Sequence, residues 1–442
     1  MARNKHFHES REPFRNDDSL ELLHDKVDGP FGFLNPTQAR YQHTPTVKGA
    51  NSDSDQANEA DNFPDTNKGD AAPQPAGNVQ FKWTSRNNRK GRHAITVTQP
   101  SDKQSQTNYV TPRPSTHWRS ILHVLWLMLV YYPVWDVSWW VAYIFTWGSV
   151  LWVLNASFVF LPDIRPSSVF HNEVLYGGGI TAFIGATIFE IGSVLLMFEA
   201  VNEKREGCFG WAVEQAYESR FGHHNTDSSS VLKLTPDPHA CTHHHANKKN
   251  FVGAPHVIPS PTKSAGADAD MEKQVKQLDG GKSWTWWPSW YELKTHYFHD
   301  LGFIACLSQF FGATIFWISG FTALPGINNK MSQGLLDGIY WFPQVLGGCG
   351  FIVSGWLFMT ETQKHWWLPA PRVLGWHIGL WNLIGGIGFT LSPAFGFDTH
   401  SWAQYQAGCS TYWASWAFLI GSVIQWYESL DKNPVEVEKE KS

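Results

Sequence analysis

One carboxylate, Glu190, interrupts the otherwise uncharged apolar stretch Gly177–Phe198. An acid in the middle of a bilayer costs roughly 2.5–3.5 kcal/mol unless it is protonated or paired. Helical spacing aligns Ala182, Ala186 and Ser193 with Glu190, and small residues usually mark contacts between membrane helices. We therefore expect Glu190 to face the protein, where it could relay protons or cations or hold a cationic ligand. The alternative is a protonated Glu190 that hydrogen-bonds another helix, with Asn155, His377 and Asn382 as candidate partners.

A second group of acids stands at the ends of apolar stretches: Glu199, Glu361 and Glu428. A carboxylate at a helix C-terminus opposes the helix dipole by up to about 1 kcal/mol, so each acid needs a compensating partner. A lysine follows each of them shortly after: Lys204, Lys364 and Lys432. We expect ion pairs at the membrane interface. The functional alternative, a cytosolic ring of acids that attracts cations, requires the three glutamates to converge.

Metal chemistry has one weak candidate, a tract formed by His239, Cys241, His243, His244 and His245. Imidazole and sulfur ligands suit Zn²⁺ or Cu⁺, but the surrounding Pro-rich segment has no second cysteine nearby, which favours a compositionally biased tract. The sequence contains no GxSxG motif, no Walker A motif and no GxGxxG followed by a βαβ unit. We therefore assign no catalytic residue and predict no cofactor.

The chain alternates between polar and apolar segments, and this alternation predicts the elements that carry the residues named above. Residues 1–116 and 203–282 are polar and rich in Pro, Gly, Ser and Asn, which predicts disorder because such segments bury too little apolar surface. Six stretches are long and apolar enough to cross a bilayer. They are Val137–Leu161, Gly177–Phe198, Leu301–Leu324, Gly338–Thr360, Val373–Leu391 and Ala407–Tyr427. A shorter stretch, Ile121–Tyr132, is predicted to be an interfacial helix.

The basic residues near the span ends predict the orientation. One set falls on a single side of a six-span protein: Arg113, Arg119, Lys204, Arg205, Lys364, Arg372 and Lys432. The other side carries only Arg165 and Lys330. Because cytosolic loops are richer in Lys and Arg, we expect both termini in the cytosol. The resulting division is a cytosolic N-terminus (1–116), a first hairpin with the interfacial helix (117–202), a cytosolic loop (203–282), two further hairpins (283–430) and a cytosolic tail (431–442).

The spans also show an internal repeat. Each odd-numbered span ends near a proline, and each even-numbered span has a Gly/Ser-bearing segment and ends in a glutamate, which predicts three tandem two-helix hairpins. The segments FTWGSVLW, FEIGSVLLMFEA, GATIFWISGFTALPG and FLIGSVIQWYESL resemble YrhK-like membrane domains of uncharacterised fungal integral membrane proteins. The resemblance covers about 117–430. It implies a helical membrane domain without an assigned activity or catalytic residues.

The predicted fold is therefore an all-α, six-span bundle whose partner is the lipid bilayer. The function that we favour is non-catalytic: moving or sensing a small solute or ion, with Glu190 as the central group. One alternative is a scaffold that binds cytosolic proteins through its disordered segments. A third is an enzyme acting on a lipid-soluble substrate, which the scarcity of paired acids and histidines in the spans disfavours. The net charge of −5 gives no indication of nucleic-acid binding.

Overall fold

The computed structural model describes residues 2–8, 11–14, 20–43, 79–99, 109–110, 113–133, 136–202, 232–233 and 287–439. The described residues are mostly helical (69%). Its helices are α1 (Ser85–Arg89), α2 (Trp118–Val130), α3 (Val137–Ile164), α4 (Gly179–Val201), α5 (Trp290–Thr295), α6 (Leu301–Thr322), α7 (Phe342–Glu361), α8 (Leu374–Gly396) and α9 (Ser401–Leu430). A π-helical segment precedes α4 (Glu173–Gly178), and another precedes α7 (Leu336–Trp341).

Six long helices pack in a closed ring in the order α3, α4, α6, α7, α8, α9, with α9 returning to α3. Side-chain caps fix where two of them begin. The carboxylate of Asp136 accepts a hydrogen bond from the backbone of Ser138 at the start of α3, and Asp300 does the same for Phe303 at the start of α6. These caps satisfy backbone N–H groups that the first helical turn leaves free. The predicted helices are thus present and pack with their sequence neighbours.

Five of the helices found in the described ranges are long and apolar enough to cross a membrane. They are Val137–Ile164, Glu173–Val201, Leu301–Thr322, Gln333–Glu361 and Leu374–Gly396. The sixth predicted span, Ala407–Tyr427, lies within α9, which is long enough but does not reach that apolar character. Polar residues such as Gln404, Gln406 and Ser410 lower its hydropathy. The predicted interfacial segment forms α2, a helix too short to span.

Aromatic side chains fill the centre of the ring in two stacked triangles. Trp152, Phe316 and Phe389, one from each of α3, α6 and α8, have ring centroids 4.9–5.5 Å apart. Phe189, Phe351 and Phe418, from α4, α7 and α9, form the second triangle with centroids 5.8–6.5 Å apart. All six rings are buried. Their edge-to-face and tilted contacts fill this part of the axis with aromatic ring surface.

A five-stranded sheet covers one end of the ring, in the order β1-β2-β3-β4-β7. Its strands are β1 (Leu20–Leu22), β2 (Gln38–His43), β3 (Val79–Thr84), β4 (Ala94–Gln99) and β7 (Val435–Lys439). The first four pair antiparallel, and β7 pairs parallel to β4. Two further short strands, β5 (Tyr109–Val110) and β6 (Leu232–Lys233), pair with each other. We call the covered end of the ring the sheet end and the opposite end the far end.

The sheet corrects two predictions. The fold is not all-α, and the described parts of residues 1–116 are folded instead of disordered. The alternation in VQFKWT places Phe81 and Trp83 in a core with Tyr41 and Val435. Sequence composition missed this core because its last strand comes from the other end of the chain. The predicted disordered loop, 203–282, lies outside the described residues except for β6.

Two glycines allow the second triangle, formed by Phe189, Phe351 and Phe418, to pack. A Cβ atom on Gly148 would lie 2.7 Å from the Phe189 ring, and one on Gly385 would lie 2.7 Å from the Phe418 ring. We expect Gly148→Ala and Gly385→Ala to lower the free energy of unfolding by about 1–3 kcal/mol, because an added methyl group overpacks the core. Unfolding of the purified protein in detergent measures the change.

Gly338→Ala is the matched control, since no atom lies within 4 Å of a Cβ at that position. Equal stability of all three variants would show that the triangle tolerates an extra methyl group at these two helix contacts.

Candidate functional site

The three glutamates that end α4, α7 and α9 converge at the sheet end of the ring. Glu199, Glu361 and Glu428 are each no more than 1% exposed. An ionised carboxylate buried without a partner costs several kcal/mol, so burial of three together requires cations of equal number. The chain supplies those cations from one short segment that lies far from all three glutamates in sequence.

That segment comprises residues 85–92, SRNNRKGR, which we call the basic segment. It follows strand β3, forms the short helix α1 and leads into β4. The hydroxyl of Thr84 caps α1 by accepting a hydrogen bond from the backbone of Asn87 at 3.0 Å. Because β3 and β4 fix both of its ends, the sheet presents the basic segment to the ring as a rigid unit.

Two of the ion pairs are bidentate. The guanidinium of Arg89 donates to both oxygens of Glu361 at 2.8 Å, and that of Arg86 donates to both oxygens of Glu428 at 3.1 and 2.7 Å. Arg92 adds a third contact to Glu428 at 3.1 Å. Such fork-to-fork pairs are the strongest arrangement of guanidinium and carboxylate. The hydroxyl of Ser85 also donates to Glu361 at 2.8 Å.

The arginines remain charged in this buried setting. Burial acts to lower the pKa of Arg89, but attraction to Glu361 and the hydrogen bonds to it outweigh burial and hold that pKa well above its usual value. Glu428 has the same effect on Arg86, whose pKa is also raised. The pairs of Arg89 with Glu361 and of Arg86 with Glu428 are therefore ionised inside the protein.

The third pair is weaker. Lys90 Nζ lies 3.3 Å from Glu199 Oε1, and within the described structure it makes no hydrogen bond. Glu199 Oε1 also accepts a hydrogen bond from Ser138 at 3.1 Å, whereas its Oε2 is buried without a hydrogen-bond partner among the described residues. Glu199 is consequently the least satisfied of the three acids.

All three glutamates are paired with cations, and Glu361 and Glu428 do not pair with the lysines predicted for them. Lys364 is exposed, while Glu361 binds Arg89. Lys432 instead contacts Asp136 and donates to the carbonyl of Lys90 at 2.9 Å. Lys204 lies outside the described residues. For Glu361 and Glu428 the prediction was wrong because it considered neighbours in sequence, whereas their partners come from a segment held by the sheet.

A small cavity of about 30 Å³ lies on the ring axis between the basic segment and the second aromatic triangle. Arg86, Arg89 and Lys90 close one end of it, and Phe189 and Phe418 line the other. The polar residues along its wall are Ser149, Gln309, Asn382, Ser422 and Gln425. Asn382, predicted as a partner of Glu190, therefore belongs to the axis instead.

Glu190 lies off the axis, in the contact between α4 and α6. Its Oε1 accepts a hydrogen bond from Thr314 at 3.0 Å, and its Oε2 is buried without a hydrogen-bond partner among the described residues. The helices approach closely there, because a Cβ on Gly320 would lie 2.5 Å from that of Ala186. Glu190 thus faces a neighbouring helix, as expected, with a partner that the sequence did not single out.

The other predicted polar residues make local contacts. Asn155 donates to the carbonyl of Gly178 at 2.6 Å and to Thr181 at 3.1 Å, which joins α3 to the segment before α4. The His377 ring lies 2.7 Å from the carbonyl of Pro371. Neither contacts Glu190. The candidate metal tract, His239 to His245, lies outside the described residues, and those that are described include no group of three metal-ligating side chains.

No protein-family model, curated protein or solved structure matches this chain.

The buried pair between Arg89 and Glu361 gives a stability prediction. Arg89→Met should lower the free energy of unfolding by about 3–5 kcal/mol, because it leaves Glu361 buried without its main partner. The double variant Arg89→Met/Glu361→Met should be more stable than Arg89→Met alone, since it removes both charges. Chemical unfolding in detergent measures both.

Lys5→Gln is the control, because Lys5 forms an exposed pair with Asp28 and should change stability by less than about 1 kcal/mol. A double variant no more stable than Arg89→Met would contradict the charge argument.

Proposed function

We propose that this chain is a non-catalytic, multi-pass membrane protein that moves or senses a small cation. The observation that carries the proposal is the convergence of Glu199, Glu361 and Glu428 at one end of a closed helix ring, where cationic side chains occupy all three. Clustered carboxylates beside a low-dielectric wall concentrate cations. In the described state the basic segment fills the place that a cationic solute would take.

The proposed topology has six spans, with α9 as the sixth. α9 packs between α8 and α3 and completes the ring, and Ser410, Ser415, Ser422 and Gln425 within the predicted span Ala407–Tyr427 are buried against its neighbours. The sheet end carries Arg113, Arg119, Lys364 and Arg372, whereas the far end carries Arg165 and Lys330. By the positive-inside rule this distribution favours a cytosolic sheet end and cytosolic termini.

We further propose that the ring consists of three tandem two-helix repeats. Each pair of neighbouring helices contributes one ring to each aromatic triangle and one glutamate to the acid cluster. A hairpin that is repeated three times in the sequence would produce such a threefold recurrence. The proposed resemblance to YrhK-like membrane domains rests on the sequence motifs of these same helices.

The basic segment gives the proposed pathway a closed state. Lys90 makes the weakest of the three ion pairs, so Lys90→Gln should free Glu199 while leaving both bidentate pairs in place. In proteoliposomes we expect low K⁺ and guanidinium flux for the natural protein and a several-fold increase for Lys90→Gln. The double variant Lys90→Gln/Glu199→Gln should lose the increase, because it removes the carboxylate that Lys90→Gln leaves without its cation.

Lys5→Gln, on the exposed surface of the same domain, serves as the charge-matched control. Folded Lys90→Gln protein with the flux of the natural protein would overturn the cation proposal.

Glu190 is the proposed intramembrane group of the same function. Glu190→Gln should keep the fold, because an amide can still accept the hydrogen bond from Thr314. Combined with Lys90→Gln, it should abolish the flux that Lys90→Gln gains. K⁺ and proton flux in the same vesicles measure this. Wholesale loss of folded protein would assign Glu190 a structural role, and unchanged flux would remove it from the pathway.

A scaffold is the second candidate function. Two aromatic triangles close the axis, and the sheet is fixed to the ring by buried ion pairs, which suits a platform for cytosolic partners. Under this alternative, folded Lys90→Gln protein conducts nothing. Binding then depends on the polar segments 44–78 and 203–282, whose deletion would abolish partner capture.

A further inference from the structure

Three groups of exposed aromatic residues lie at the sheet end, beside the starts of α3, α6 and α8. They are Trp118 and Trp126 on α2, Trp287, Trp290 and Tyr291 around the start of α5, and Trp366 and Trp367 after α7. These seven side chains are 56–71% exposed. We call them the aromatic collar. Large exposed rings grouped at one level of a protein mark a surface that meets a partner or a membrane.

Cations accompany the collar. The guanidinium of Arg119 lies 5.1 Å from the centre of the Trp118 ring, and Lys294 Nζ lies 5.4 Å from that of Trp290. Lys364 and Arg372 are exposed on either side of Trp366 and Trp367. An indole ring with a cation over its face suits the boundary between headgroups and acyl chains, where the ring is apolar and the cation meets phosphate.

The charge balance of the collar is strongly positive. Residues 113–132, 287–295 and 363–374 contain five Lys and Arg residues: Arg113, Arg119, Lys294, Lys364 and Arg372. Their one acid is Glu292, whose carboxylate caps α5 by accepting a hydrogen bond from the backbone of Ser289 at 3.0 Å. The far end has no such excess, because Asp163 and Asp398 accompany Arg165 and Lys330 there.

Helix α2 shows how the collar meets the bilayer. It buries only Val124 and Met128 fully, against Trp139 and Leu430, while Leu125 and Leu129 face outward. With 13 residues it is about 20 Å long and cannot span a bilayer. A short helix that exposes apolar side chains beside the start of a span is suited to lie flat in the interface.

We propose that the aromatic collar binds anionic phospholipids, with phosphatidylserine as the representative headgroup. The cations bind the phosphate and carboxylate, and the indole rings insert at the acyl boundary. A soluble protein partner is disfavoured because the three groups surround the ring instead of forming one face. The inference rests on the bilayer insertion of the proposed function but is independent of cation flux.

The test is lipid selection by the purified full-length protein. Nanodiscs of equal phosphatidylcholine and phosphatidylserine are prepared, and native mass spectrometry counts the lipids that stay bound. The natural protein should retain phosphatidylserine in preference to phosphatidylcholine. The triple variant Arg119→Gln/Lys294→Gln/Arg372→Gln should lower that preference by about fivefold or more, because a basic residue near an anionic surface contributes on that scale.

Arg165→Gln/Lys330→Gln, which removes two basic residues of the far end, is the control and should keep the preference. Melting temperature and monodispersity are measured on each variant, so that unfolding is not mistaken for lost binding. Equal retention of the two lipids by the natural protein would overturn the proposal. So would a folded triple variant with unchanged preference, or a control that loses as much as the triple variant. A flux experiment that fails leaves these outcomes unaffected.

Discussion

Neutralisation of three buried glutamates is the constraint on which the rest of this structure depends. Glu199, Glu361 and Glu428 come from three different helices, and a single eight-residue segment supplies their cations. Replacing such pairs by apolar residues would often be neutral or stabilising, so their energetic contribution alone does not explain them. Removing only one partner, in contrast, leaves the other charge buried without a counter-ion, which is strongly destabilising. The pairs therefore fix where the sheet sits on the ring, because other placements would bury charges without partners.

The sheet in turn depends on both ends of the chain. Strands β3 and β4 hold the basic segment, and β7 reaches β4 only after the last helix ends. Lys432 connects these elements, because it contacts Asp136 at the start of α3 and the carbonyl of Lys90 in the basic segment. The contacts therefore run from α3 through the basic segment to β7. A substitution in any of these three parts changes contacts that the other two make.

The ring axis divides into two chemical environments. Six aromatic rings fill one part, while the part nearest the sheet holds a small cavity, lined by both polar and apolar side chains, beside three cations. A cation that entered from the sheet end would meet the carboxylates first and the aromatic triangles next. The proposed function thus requires two separate movements, displacement of the basic segment and opening of the triangles. Glu190, off the axis between α4 and α6, lies where relative movement of those helices would change its surroundings.

The sequence by itself determined the long apolar helices, because their length and hydropathy are what a helix needs to cross a bilayer, and α3, α4, α6, α7 and α8 match five of the six predicted spans. It also identified Glu199, Glu361 and Glu428, whose position at helix ends demands compensation. Only the tertiary structure decided their partners. The sequence SRNNRKGR did carry a signal of these partners, because it places four basic residues between two strands with alternating patterns. The acids that they bind, however, lie far away in the sequence. The sheet was missed for the same reason, because β7 pairs with a strand more than 300 residues earlier in the sequence. The composition of a segment shows only how much apolar surface that segment itself can bury.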